Sequence, residues 1–202
     1  MFSPAFAGTP RAAPQNNYSK EQNMVYVFLA EGFEEVEALT PVDLMRRAGI
    51  DVTTVGVGGK VICGAHGIPV TADITDGELP RDPADLSMVV LPGGMPGTKN
   101  LDASPAVDAY LRLAAEKGAY IAAICAAPMV LGKRDLLLGK RATCYPGFEE
   151  TLAGATLAEG SAVVTDGLYI TAKAAGYAAE FAYALITALA GDAEEVRAAI
   201  CP

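Results

Sequence analysis

Along most of this chain, short apolar runs closed by glycine, proline or a polar break alternate with longer stretches of helical period. No other feature restricts the fold so tightly. Residues 24–30, 51–57, 85–91 and 119–124 read as strands, and 34–48, 104–117 and 175–190 as helices. Further strands are expected at 141–144, 162–165 and 168–171, with a terminal helical turn at 193–200. Val61-Ile62 and residues 68–72 read as a small hairpin after the Gly58-Gly59 turn. Gly49 stands where a helix end takes up left-handed backbone, Ser104 can cap an N-terminus, and Pro105 fits a first turn because its missing N–H has no partner there. Parallel strands joined by crossover helices bind ligands beyond their carboxyl ends. The expected fold is therefore α/β, with the segments after residues 30, 91 and 124 gathered on one rim.

At 202 residues the chain suits one domain, expected over 24–202. Residues 1–23 stand apart. Rich in proline, alanine, asparagine and serine and lacking both periodicity and a secretory apolar segment, they read as a flexible tail that leaves organelle targeting open. The longest uncharged stretch, 118–132, has 15 residues, short of the roughly 20 that span a bilayer. A formal net charge of -9 argues against nucleic acid and anionic membrane as partners, which need clustered lysine and arginine. Cys63, Cys125, Cys144 and Cys201 form no Cys-x-x-Cys pair and read as reduced thiols of a cytoplasmic protein. Cys63 and His66 have a spacing two metal ligands can share. No second pair accompanies them, so a surface loop without metal is expected.

Cys125 sits between the strand-like run 119–124 and a short helix beginning Ala126-Ala127-Pro128. A thiol at such a turn lies near unpaired N–H groups and a helix dipole, so a thiolate accessible near neutral pH is expected; the alternative is a small core hydrophobe. Glu37 falls on the same helical stripe as Phe33, Leu44 and Ala48, the apolar face. A carboxyl aimed inward has a raised pKa and needs a hydrogen-bond partner, which is either structural or catalytic. Pro92-Gly93-Gly94-Met95-Pro96-Gly97 offers backbone N–H groups for close approach to a ligand oxygen, but it is neither a dinucleotide fingerprint nor a phosphate loop. The only histidine is His66, in a glycine-rich loop, and residue 126 is alanine. Unless His66 arrives from a distant loop or another subunit, cysteine-protease chemistry lacks its base, and Glu37 would have to serve.

Four segments together carry a resemblance: Leu29-Ala30-Glu31-Gly32-Phe33-Glu34-Glu35-Val36-Glu37, Pro41-Val42-Asp43-Leu44-Met45-Arg46-Arg47-Ala48-Gly49, Val89-Val90-Leu91-Pro92-Gly93-Gly94 and Ala122-Ala123-Ile124-Cys125-Ala126. With Asp166-Gly167-Leu168-Tyr169-Ile170-Thr171 they resemble the ThiJ/PfpI superfamily, in the branch of the Parkinsonism-associated deglycase and the glutathione-independent glyoxalases. The resemblance implies a flavodoxin-like sandwich, a mostly parallel sheet with helices on both faces, in a homodimer. It makes Cys125 the nucleophile at an elbow and Glu37 a protonated carboxyl bonded to its sulfur. Gly93, Gly94 and Ala126 would line an oxyanion pocket through their N–H groups. It further implies a cofactor-free enzyme acting on methylglyoxal, related 2-oxoaldehydes or early glycation adducts. The alternative is a redox-sensing or chaperone-like protein whose cysteine is oxidised to sulfinic acid. One departure stands out: where some members of the branch have histidine before proline, this chain has Tyr145 before Pro146.

Overall fold

In the first strand, β1 (Met24–Leu29), alternate side chains leave for opposite faces of the sheet and both faces are buried. Val25, Val27 and Leu29 enter one core cluster, and Tyr26 and Phe28 enter another. The computed structural model describes residues 24–200, so the tail expected over 1–23 and Cys201 lie outside the described residues. After β1 come α1 (Glu35–Arg47), β2 (Asp51–Gly56), β3 (Val61–Cys63), β4 (Pro69–Thr71), β5 (Ile74–Thr75), β6 (Leu86–Leu91), α2 (Gly97–Asp102) and α3 (Pro105–Lys117). The remainder is β7 (Tyr120–Ile124), α4 (Pro128–Gly132), β8 (Arg141–Ala142), β9 (Thr156–Leu157), β10 (Val163–Asp166), β11 (Tyr169–Ala172), α5 (Ala178–Ala190) and α6 (Glu194–Ile200).

A seven-stranded sheet in the order β10-β11-β7-β6-β1-β2-β5 forms the centre, parallel except for the antiparallel pair β10–β11. Helices α1 and α5 pack together on one face, where Val42 and Met45 meet Phe181 and Leu185 around the odd-numbered residues of β1. On the other face, Val107 and Leu111 of α3 cover the even-numbered ones. This is the flavodoxin-like α/β arrangement expected. Register brings Val27 level with Val90, Leu91 with Ala123, and Ile124 with Ala172. The chain segments that follow β1, β6, β7 and β11 therefore emerge at the same edge.

The helix boundaries follow the local chemistry. Ser104 caps α3 by accepting the Val107 N–H, and Gly118 ends it at φ 69°. Gly49, at φ 76°, ends the first helix with a donor into its last turn. Elsewhere the structure differs from expectation. The strand expected at 141–144 is only the two-residue β8, paired with β9 outside the main sheet, because Thr143 N–H bonds the Thr171 side chain instead of a strand. Helix α2 and edge strand β5 were not anticipated. Each is six residues or fewer, too short to show a period. The helix expected from residue 175 begins with a 3-10 turn, Ala175–Tyr177, before α5 proper. Among the described residues, no helix is long and apolar enough to cross a membrane.

Phe181 is fully buried where α5 meets the sheet. Phe181→Ala is expected to lower unfolding free energy by about 3–5 kcal/mol through the cavity it leaves, read as a lower urea midpoint at unchanged m-value.

Candidate active site

The loop from β1 into α1 is held by its own backbone. Gly32, at φ 81°, donates to the Cys63 carbonyl at 2.8 Å, and Glu34 N–H donates to the Gly93 carbonyl at 2.9 Å. Glu34 precedes the helix with extended backbone and no side-chain cap, so α1 starts at Glu35 and Glu37 becomes its third residue. At that position Glu37 turns inward and is 0% exposed. Its Oε2 accepts the Gly93 N–H at 2.9 Å. Burial raises its pKa to about 7, helped by the charge of Glu34 and opposed by the Cys125 thiol and the Gly93 N–H. Oε1 is buried without a hydrogen-bond partner, so the sulfur perturbs this carboxyl without reaching bonding geometry to that oxygen.

Gly93 allows that contact. A Cβ there would fall 2.5 Å from Glu37 Oε2 and 2.7 Å from the Cys125 Cβ, so any side chain would separate the two. Gly94 is at φ 89°, and a Cβ on it would run into the Glu34 nitrogen. Both glycines are therefore set by close approach, and Gly94 by backbone conformation as well.

Cys125 occupies the sharp turn after β7 at φ 65°, a left-handed conformation that costs a non-glycine residue on the order of 1–3 kcal/mol. It is clamped from both sides: its N–H donates to the Ala172 carbonyl at 2.9 Å, and its carbonyl accepts the Tyr145 N–H at 2.8 Å. The residue is partly exposed, so the sulfur is not sealed in the core. The N–H groups of Ala126 and Gly94 face it.

Two expectations need correction. The thiol was expected to ionise near neutral pH, but burial pushes it up to about 12. The charge and proximity of the Glu37 carboxyl act in the same direction, against the Ala126 and Gly94 N–H groups. The helix after the turn does little to offset this, because α4 has five residues and begins only at Pro128. Gly93, expected to help hold an oxyanion, has its N–H engaged by Glu37, so only Gly94 and Ala126 donate toward the sulfur.

His66 is not at the sulfur. Its N–H and its Nδ1 lie 2.8 Å and 2.9 Å from the carboxylate of buried Glu35, with Glu34 Oε1 at 3.6 Å. The Glu35 hydrogen bond comes first, then the charges of Glu34 and Glu35, in raising the imidazole pKa. Burial alone would raise Glu35, but the His66 ring and the N–H groups of His66 and Ile68 outweigh it and hold the carboxyl down to about 2. Sequence reasoning missed this trio because His66 lies 31 residues from Glu35. The carboxylate is saturated by its own donors and fastens the β3–β4 hairpin onto α1. Cys63, expected in a loop with His66, donates its N–H to Glu31. Cys144 is buried in the core cluster on the α3 side of the sheet, whereas Cys125 packs against the cluster on the other. Burial, then the charge of Glu149, pushes the Cys144 thiol up to about 11.

A raised acid binds its proton more tightly in the folded state. Its contribution is thus complete below the unfolded value near 4.5 and declines as pH climbs toward about 7. Replacing Glu37 with glutamine is expected to remove a loss of about 3 kcal/mol between pH 5 and pH 8, seen as a flatter denaturation midpoint than the unmodified chain shows.

A profile of the DJ-1/PfpI family matches residues 23–188. Protein DJ-1 homolog B of Arabidopsis thaliana is 36% identical over 88% of this chain, which spans only 41% of that relative. Protein dj-1beta of Drosophila melanogaster is 38% identical over 82% of this chain and 88% of its own length. The crystal structure of Drosophila DJ-1beta has a TM-score of 0.84 at 35% identity, covering 89% of this chain and 97% of its own. Two further relatives carry activities in their names. A deglycase of Pyrococcus abyssi is 30% identical over 75% of this chain and 90% of its own. A glutathione-independent glyoxalase of Caenorhabditis elegans is 29% identical over 80% and 85%.

Proposed function

The chain belongs to the DJ-1/PfpI family, and on that premise we propose that it is a cofactor-free glyoxalase and deglycase acting on methylglyoxal, related 2-oxoaldehydes and early glycation adducts. The relatives named deglycase and glutathione-independent glyoxalase support the general activity. The observation that carries the reading is the buried Glu37 carboxyl, held by Gly93 against the turn that bears Cys125.

Above a pH of about 7 sulfur and carboxyl share one proton, whichever of the two carries it, because Glu37 titrates near 7 and the thiol far above. As the sulfur attacks the aldehyde carbon, a C–S bond forms, the thiol proton passes to Glu37 and the carbonyl electron pair moves to oxygen. The Gly94 and Ala126 N–H groups stabilise that oxyanion until Glu37 returns the proton, leaving a hemithioacetal. Glu37 then removes the C1 hydrogen as a proton to form an enediol and delivers it to C2, while the C1 hydroxyl proton moves to the C2 oxygen. The product is a thioester. Water cleaves its C–S bond, releasing lactate and the thiol, so methylglyoxal plus water gives lactate with no external electron donor or acceptor. A carboxyl near 7 suits a group that both takes and returns a proton. On an early glycation adduct, whose former aldehyde carbon is a carbinolamine, sulfur would replace nitrogen: the C–S bond forms, the C–N bond breaks, and the thiol proton leaves on the amine through Glu37.

The redox-sensing reading draws less support from this electrostatics. Peroxide oxidises thiolates, and a thiol raised by burial and by a neighbouring carboxylate presents few of them unless Glu37 takes its proton.

Purified protein given methylglyoxal without glutathione should form lactate, and Cys125→Ser and Glu37→Gln should each lower kcat/KM by about 100-fold or more. Substantial lactate from either variant would remove this mechanism. In the unmodified chain, kcat/KM should rise with pH through about 7, as the second proton leaves the pair.

The family resemblance also implies a homodimer. Val36 on α1 and Val61 and Ile68 on the hairpin are large exposed apolar residues where Glu35 ties these elements together. A second copy would cover them. Sedimentation equilibrium should return about twice the 20.8 kDa chain mass, and a monomer at micromolar concentration would refute it.

A further inference from the structure

Beyond the sulfur and its acid, the turn that bears Cys125 has an exposed aromatic neighbour. The Tyr145 N–H bond to the Cys125 carbonyl fixes Tyr145 directly beside the nucleophile turn. Tyr145 remains 46% exposed, while the residue before it, Cys144, is 4% exposed. Phe148 N–H bonds back to the Tyr145 carbonyl at 3.1 Å, and the Phe148 ring stands edge-on to the tyrosine at 6.5 Å, with 75° between the planes. Phe148 packs against the core on its other side. The exposed ring is thus backed by an anchored one. Met95, 42% exposed, follows the glycine whose N–H faces the sulfur.

The nearest charges are Glu37, which acts on the sulfur, and Glu34, which acts on Glu37 and has His66 Nδ1 3.6 Å away. A flat apolar substituent would gain from the exposed tyrosine beside the turn.

We infer that Tyr145 is a specificity-determining residue, whose ring selects 2-oxoaldehydes bearing an aromatic or other flat apolar substituent. The inference rests on the proposed glyoxalase reading and refines its substrate class. Tyr145 takes no part in moving electrons or protons; its ring contacts the substituent that stays on C2 while the C1 aldehyde reacts with Cys125. The hydroxyl is not required, so phenylalanine at this position keeps the preference and alanine loses it.

The test compares kcat/KM for phenylglyoxal and for methylglyoxal, without glutathione, in the unmodified chain, Tyr145→Ala and Tyr145→Phe. Circular dichroism and thermal midpoints would check that each variant folds. The unmodified chain should favour phenylglyoxal. Tyr145→Ala should lower the phenylglyoxal-to-methylglyoxal ratio about tenfold, mainly through the KM for phenylglyoxal, the size expected for losing one aromatic contact and the area it covers. Tyr145→Phe should hold the ratio within about twofold, since the ring face is retained. An unchanged ratio in Tyr145→Ala would overturn the inference, including the case where both substrates lose rate equally because the ring merely supports the Cys125 turn. Turnover of methylglyoxal with an unmoved ratio sinks this inference alone. Absence of turnover with either aldehyde sinks the glyoxalase reading together with it.

Discussion

The contact between the Gly93 N–H and Glu37 Oε2 is the one on which the site depends. It joins the loop after β6 to the first turn of α1, over the end of β7. It exists because residue 93 has no side chain to fill the space between carboxyl and sulfur. The converse bond, from Glu34 N–H to the Gly93 carbonyl, closes the same junction from the other direction. One residue, Gly93, thus holds the acid, and the chain before the acid, against the turn that carries Cys125. The parallel sheet supplies the coarse placement by bringing β1, β6 and β7 to one edge.

Burial then sets the chemistry. A carboxyl removed from water and given one N–H donor ionises near neutrality, and a thiol beside it is driven far above its ordinary range. Neither group in isolation makes an efficient nucleophile. In the proposed mechanism they exchange a proton, and its transfer during attack replaces a standing thiolate. The strained backbone at Cys125 is held by two hydrogen bonds from elements on either side, which is how an unfavourable conformation persists. His66, which a conventional thiol hydrolase would place at the sulfur, is tied to Glu35 and fastens a hairpin instead.

Much of the fold could be read from local pattern. The run Val25-Tyr26-Val27-Phe28-Leu29 is apolar throughout because both faces of a central parallel strand are covered. Gly49 and Ser104 mark helix ends through chemistry that acts within a few residues. The inward aim of Glu37 followed from its place on the stripe of Phe33 and Leu44. What escaped the sequence was short or remote. Helix α2 has too few residues to show a period, and the strand expected at 141–144 gave up its pairing to the Thr171 side chain.

Helical and strand periods, turn glycines and the position of Cys125 after an apolar run therefore determined the α/β fold and pointed to Cys125 and Glu37, because those signals operate over one or two turns of chain. Tertiary structure alone decided that the Gly93 N–H binds the acid while those of Gly94 and Ala126 face the sulfur. It also decided that the thiol pKa rises and that the Tyr145 ring stands open beside the nucleophile. Each of these depends on desolvation or on hydrogen bonds between residues twenty to fifty-six positions apart. No local spacing encodes a dielectric environment or the partner a distant N–H will find.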